Sequence, residues 1–589
     1  MMEGSKTTRK SCDFCYRRKI KCDRQKPHCS HCITYNLDCT FTAPSRKPGP
    51  KKRQNSANIE GGTSNTQGHM RQLEAIIQQL IDRLELAEEK SDVQSLPQSD
   101  GATETTTTTL STIVTKQDDN GVSKSMILPP REHALPVIQI YLKDFNTVLP
   151  LFDAKALLHL VHNCYNVGPV QRNPVAWAAI NIVLALAQRY TLVDCHNVPS
   201  PAECISRAES VLSTVVLGEI QLLNIQVLVG MVMLLQASQD LQPSLILIAT
   251  TMRLAHAIGL HDCTYSAHLD TLHARQRAYV FWLAYILDKD LSMRSKQPSI
   301  QIDDDINLDL PSPTVVEYQI AGMSGINDTG NDTGIIATTD RTVKMNYFVT
   351  RIQLATIEGG VYDYLYSTRS QKRSPKERSH ALQSVASALE QWKVSIPPEF
   401  SASVALMRVP YDVLRFLGEL HSTTLACTTL INQAHAWDAK WVASIRRYGR
   451  QGIVPILPPK WEVLVHEARD LMVLLGTLGM TDCWNFWNTG CSYMTAMVLL
   501  TANSMHRPQH NKLALDSQLI EVGLQTLEKM VQETGSEMLK SFQATCAELY
   551  QHTQRRCDEA AIIANNVDYS SVFLDTKYGS EENGQSDGV

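Results

Sequence analysis

Three observations predict a mostly α-helical chain made of a small cysteine-rich module, a short coiled coil and a large all-helical region. Six of the fifteen cysteines fall between Cys12 and Cys39. From Leu128 onward apolar residues recur at helical spacing, with almost none of the alternating runs that mark strands. Between the two lies a stretch with apolar residues three and four apart, then low-complexity chain. At 589 residues the chain exceeds what a single core fills, so several parts are expected.

The cysteine-rich end is also the basic end. A net charge of -5 conceals fourteen Lys and Arg against four Asp and Glu within residues 1–53. That local excess suits a polyanionic partner, nucleic acid first and an anionic membrane surface second. The N-terminus lacks the apolar run of a secretory signal, and the longest apolar runs, such as Val227–Leu235, reach about half a membrane span. The expectation is an intracellular, soluble protein without a membrane partner. In a reducing compartment clustered thiols hold metal rather than disulfides. The nine other cysteines, Cys164 to Cys557, show no paired spacing and are expected to be small apolar core residues.

Within the module, Cys12, Cys15 and Cys22 are repeated seventeen residues on as Cys29, Cys32 and Cys39. Each half is a C-x2-C turn followed by about one and a half helical turns to a third thiol. Three thiolates cannot complete a tetrahedral zinc, whereas six serve two zinc ions if two of them bridge. The repeat makes Cys12 and Cys29, the first of each half, the natural bridging pair. Two zincs and six thiolates carry a formal charge of about -2, which the surrounding Lys and Arg offset. A disulfide knot conflicts with the compartment, and a redox C-x-x-C pair leaves the duplication unexplained.

The stretch "CDFCYRRKIKCDRQKPHCSHCITYNLDC", including Pro27 in the joining loop, resembles the fungal binuclear zinc-cluster transcription factors. In that family the first and fourth cysteines bridge the metals, in agreement with the ligand count. Only the first half is basic between its second and third cysteines: Arg17, Arg18, Lys19 and Lys21 have no cationic counterpart among Ile33 to Asp38. The first helix is therefore expected to face double-stranded DNA and the second to support the metal fold. Arg and Lys suit guanine in the major groove, and carbonyls at the helix end suit cytosine. The resemblance implies that Lys19 contacts bases with Arg18 beside it, and that the target triplet is CGG. Arg17 and Lys21 are expected on phosphates; each of these charges has the alternative of simple solvation.

After the module, residues 40–69 have linker composition, with a basic run from Arg46 to Arg53 that suits phosphate tracking or nuclear import. Met70, Leu73, Ile77, Leu80, Leu84 and Ala87 form an a/d seam, so residues 70–90 are expected to be a short parallel coiled coil that makes a homodimer. A lone amphipathic helix packed on the large region is the alternative. The family commonly places a dimerising helix here. Residues 91–127, with "TETTTTTLSTIVT" inside, are expected to be a disordered linker.

Residues 128–560 are expected to form an all-helical regulatory domain. The stretch Tyr279 to Leu287 is apolar on nearly every face and is expected to lie deep in it. Further helices are expected at roughly 344–367, 375–395, 408–435, 461–480, 484–506 and 513–550. "RLAHAIGLH", followed by "RAYVFWLAYILDKDLSMRSKQPSIQIDDDINLDLP", resembles the middle homology region of the same regulators. Where the family often shows Gly-Arg-Pro, this chain has Lys296, Gln297 and Pro298.

Enzyme signatures do not emerge. His256, His261, His268 and His273 lack the i, i+4 spacing of a helical zinc pair, Asp303 to Asp305 read as a capped acidic loop, and P-loop, nucleophile-elbow and dinucleotide fingerprints are not found. Two Asn-Asp-Thr-Gly copies, at Asn327 and Asn331, read as a loop. The acidic tail 561–589 spaces Tyr569, Phe573, Leu574 and Tyr578 among acids, which suits a coactivator groove or a plain solvated tail.

The sequence thus reads as a nuclear, dimeric, DNA-binding transcription regulator holding two zinc ions, an activator, not an enzyme, and pathway-specific for a metabolic or secondary-metabolite gene cluster. The alternative is a helical-domain enzyme or metabolite sensor tethered to DNA by the cluster.

Overall fold

A computed structural model describes residues 11–12, 22–24, 26, 28–29, 32, 39–40, 125–190, 197–311, 333–434, 438–455, 457–480 and 483–575, with main chain only at 483–484 and 564–575. The basic linker, the coiled-coil stretch and the threonine-rich stretch lie outside the described residues, apart from Thr40 and residues 125–127. So do the Asn-Asp-Thr-Gly copies, apart from Thr333 and Gly334. The chain divides into two units, Met1–Asp119 and Asn120–Val589.

The second unit is mostly α, as the periodicity predicts. It opens with α1 (Arg131–Ile140), extended by a π turn over Tyr141–Phe145, and α2 (Ala154–Asn166), which starts where the Asp153 carboxylate accepts from Ala156 N. There follow α3 (Pro174–Tyr190), α4 (Pro201–Glu209), α5 (Leu212–Leu217), α6 (Leu222–Leu235) and α7 (Gln242–Ala257). A capping box, Ser200 with Glu203, satisfies the free N–H groups that begin α4.

Helix α8 (Thr271–Ser295) begins at Asp270, whose carboxylate accepts from His273 N. Every residue from Tyr279 to Leu287 is buried, so a helix apolar all round does lie in the interior. The same holds for Ala176–Ala187 of α3 and Asn224–Leu234 of α6. These two helices approach so closely that a Cβ on Gly230 would sit 2.3 Å from Ile182 Cγ2. Helix α8 ends where Lys296 takes the left-handed conformation, φ +58°, its N–H reaching back to Met293 O and that of Gln297 to Ser292 O. That is the backbone state glycine fills most readily, at the position where the family often has one.

A two-stranded antiparallel hairpin, β1 (Ile335–Ala337) and β2 (Lys344–Asn346), pairs Ile336 with Met345. Asn346 then caps α9 (Tyr347–Val361), which passes through a π turn at Tyr362–Tyr366. Next come α10 (Thr368–Gln371), α11 (Pro375–Ser395), α12 (Ala402–Arg408), α13 (Tyr411–Ile431) and α14 (Ala439–Gln451). The chain closes with α15 (Trp461–Leu478), α16 (Cys483–His506), α17 (Leu513–Thr534) and α18 (Glu537–Asp575). One hydrophobic core runs through these elements from Leu128 to Tyr550.

Several expectations are corrected. The hairpin is a strand element the periodicity does not announce, because three-residue strands are too short to show alternation. Helix α14 falls outside the expected segments; its buried face is only Trp441, Ile445 and Tyr448. The expected 513–550 helix is two helices, broken at Gly535 with φ +62°. Helix α18 continues to Asp575, so the first part of the expected 561–589 tail is helical; the run "AAIIANN" carries no Gly or Pro to stop it. Finally, Cys263 and Cys491 are exposed rather than core, while Cys164, Cys204, Cys427 and Cys546 are buried as expected. Cys263 sits in a surface 3-10 turn capped by Asp262.

Candidate metal centre and nucleic-acid interface

In the first unit thiols that are far apart in sequence come together. Cys12 Sγ lies 3.8 Å from Cys29 Sγ and 3.7 Å from Cys32 Sγ. Cys29 N donates to Cys39 Sγ at 3.4 Å. The four sulfurs of Cys12, Cys29, Cys32 and Cys39 all lie within 4.8 Å of one another. A tetrahedral zinc with Zn–S bonds of about 2.3 Å has sulfurs about 3.8 Å apart, which is the spacing observed. Cys12, Cys29 and Cys32 are fully buried, forming a miniature core of sulfur with Cys22 and Cys39 at its margin.

A second group shares a member with the first: Cys22, Asp23 and Cys29 also present ligand atoms within 4.8 Å of one another. Cys29 therefore stands in both groups, the position a bridging thiolate must hold. Asp23 is a residue the sequence reading did not name; its only signal is adjacency to Cys22. Cys15, Arg17, Arg18, Lys19 and Lys21 lie outside the described residues.

The donor set fits a divalent soft-binding cation. Burial, together with the neighbouring Cys29 and Cys12 groups, pushes the Cys32 thiol well up. Thiols crowded this way stay protonated by themselves; a divalent ion supplies the positive charge that lets them ionise and ligate. Structural zinc of this kind contributes folding energy to a module too small to be held by its apolar core.

The second unit has no comparable group among its described residues. Groups of three or more His, Cys, Asp or Glu with converging ligand atoms occur, among the described residues, only in the cysteine module. His256 Nε2 bonds Gln301 at 2.6 Å, His273 Nδ1 bonds Asp270 at 2.6 Å, and the His256 and His261 rings meet edge to face at 4.9 Å. Asp303–Asp305 form a 3-10 turn, and Asp303 pairs with the buried Lys289 at 2.9 Å. No helix among the described residues is long and apolar enough to cross a membrane.

Comparison with known proteins matches both regions. The model of the fungal Zn(2)-Cys(6) binuclear cluster domain matches residues 10–48, and that of the fungal specific transcription factor domain matches residues 138–394. An ABC-transporter-regulating transcription factor of Aspergillus oryzae is 26% identical across 94% of this chain and 73% of its own length. A Fusaridione A cluster transcription factor of Fusarium heterosporum is 23% identical across 72% of this chain and 77% of its own. Over the cysteine module a maltose fermentation regulatory protein of Saccharomyces cerevisiae is 54% identical, a span that covers 7% of this chain and 9% of the other.

Proposed function

Since the chain belongs to the fungal binuclear zinc-cluster transcription factors, DNA-binding regulators that hold two zinc ions, we propose that it acts in the nucleus as a homodimeric activator of one pathway's genes. Each copy reads a CGG-type half-site. The names of its relatives, one an ABC-transporter-regulating factor and one a cluster factor, support a restricted target set such as a metabolic or secondary-metabolite gene cluster.

The observation that carries this reading is the sharing of Cys29 between two ligand groups. Cys12, Cys29, Cys32 and Cys39 would hold one ion, and Cys12, Cys15, Cys22 and Cys29 would hold the other. Zinc held this way would be structural, since sulfur ligands alone would leave no site for water or substrate and the ions would hold the module in shape. The protein's own residues do the reading. Lys19 and Arg18 contact guanine edges, while Arg17 and Lys21 sit on phosphates. The basic run in residues 40–69 follows the backbone, residues 70–90 join two copies, and the acidic stretch after Ala560 engages coactivators. Residues 128–560 regulate; no catalytic step is assigned to them.

Selection of bound sequences from random duplex DNA by the full chain tests the reading, with zinc counted by elemental analysis. Paired CGG triplets and two zincs per chain are expected. Selection without a CGG-type triplet, or DNA affinity unchanged after zinc is chelated, overturns it.

A further inference from the structure

A cavity of about 60 Å³ lies in the helical unit where six helices meet. Its wall includes Tyr190 at the end of α3, Gln236 just past α6, Asp290 of α8, Arg351 of α9, Glu419 of α13 and Asn488 of α16. These come from both sides of residue 394, where the matched family domain ends. Side chains of Asp290 and Arg294 keep 14% and 15% exposure, so the cavity communicates with solvent.

The cations in this wall are already matched. Arg351 pairs with the buried Glu358 and lies 3.7 Å from Asp290. Arg294 lies 3.3 Å from Asp290 and donates to the main-chain oxygens of Gln236 and Trp487, each at 3.2 Å. The acceptors are not matched. Among the described residues Glu419 receives only the Tyr190 hydroxyl and Asn488 Nδ2, both at 3.5 Å, the outer limit of a hydrogen bond. Because Asn488 turns its N–H2 toward that carboxylate, its Oδ1 is left buried without a donor, and Gln236 Oε1 is buried without one as well. Buried acceptors without donors are costly, and each calls for a donor from elsewhere.

A wall with acceptors to spare and no cation to spare selects for a ligand that brings positive charge and N–H groups. A primary ammonium has three N–H donors, one for each unmet acceptor. The volume admits roughly four to six water-sized groups at about 10–15 Å³ each, so the head that enters is small.

We propose that this cavity binds a small primary amine, with Glu419 as counter-ion and the carbonyls of Gln236 and Asn488 accepting the remaining N–H bonds. Burial, with the Asp290 charge nearby, holds Glu419 up to about 7 against the lowering pull of Arg351 and Arg415, so at neutral pH an incoming ammonium meets a carboxyl ready to give up its proton. The site goes beyond the DNA-reading function and does not rest on it. A ligand held from the end of α6 and from α13 and α16 at once stiffens the contact between the matched family domain and the helices that follow it.

Thermal unfolding of the full chain at pH 7.5 and constant ionic strength tests this with three probes: propylammonium, tetramethylammonium and propanol. Propylammonium is expected to raise Tm along a saturating curve, as binding to the folded state alone requires. Tetramethylammonium, a cation without N–H donors, and propanol, neutral, are expected to leave Tm unmoved. Glu419→Gln is expected to fold and lose the response; Gln236→Met, nearly isosteric, is expected to weaken apparent affinity several-fold and serves if the first variant fails to fold. No saturable shift with propylammonium, an equal shift with either control, or an undiminished response in the variant that folds overturns the proposal.

Discussion

The cysteine module and the helical unit are stabilised in opposite ways. In the module a few sulfurs meet at one point, and among the described residues Cys29 belongs to both ligand groups. In the helical unit a single apolar core spreads from Leu128 to Tyr550, with charged pairs set into it at isolated places. A metal-held fold concentrates its stability in a handful of atoms and fails at once when one is removed. A packed fold distributes its stability, so each loss is local and graded.

The largest expected effect tests the concentrated side. Cys29→Ala removes a ligand from both groups, so the module should lose zinc and structure together and DNA binding with them; a variant that retains two zincs by elemental analysis would break the comparison. Next is Asp516→Ala in the helical unit. Arg469 Nε reaches Asp516 Oδ1 at 2.5 Å and Nη2 reaches Oδ2 at 2.9 Å, a two-pronged buried pair between α15 and α17. Removing the carboxylate leaves a buried guanidinium and should cost about 3–5 kcal/mol in chemical denaturation, without altering zinc content.

The pH response of Glu419 is smaller. Its folded value, pushed by burial to about 7, lies above the ordinary 4.5. A raised value means that the neutral form is preferred in the fold. The contribution is full below about pH 4.5 and fades as pH climbs through 7, about 3 kcal/mol in all. Glu419→Gln cannot ionise, so its stability relative to the parent should grow between pH 5 and pH 8 in parallel denaturation curves. A constant difference would refute the assignment.

Lys19→Ala should weaken binding to a CGG site by about 1–3 kcal/mol and flatten preference over a scrambled site, with the helical unit's melting unchanged. The smallest change is a gain: Lys296→Gly relieves the left-handed backbone at the end of α8 and should add about 0.5–1 kcal/mol. Loss of stability in that variant would mean that the lysine side chain matters more than its backbone.

The two regions also differ in how openly the sequence displays them. Cysteine spacing is a covalent, local code, and the repeat by seventeen singles out Cys12 and Cys29 for the proposed bridging role. Helix α8 was as plain, since a run apolar on every face has nowhere to go but inward. Helix α14 stays hidden because only three buried residues mark its face, and Gly535 does not stand out because the helical periodicity resumes on both sides of it. The cavity was the least legible. Asp290, Arg351, Glu419 and Asn488 belong to four segments with no shared local pattern, and only packing makes them neighbours.

The uninterrupted apolar interior crosses residue 394, where the recognisable family stretch stops. Any chimera that borrows this regulatory body must therefore take the later helices too, since a seam at that point would slice through shared wall. Reader modules can be shuffled by recombination at a linker, but the body behind them is inherited whole.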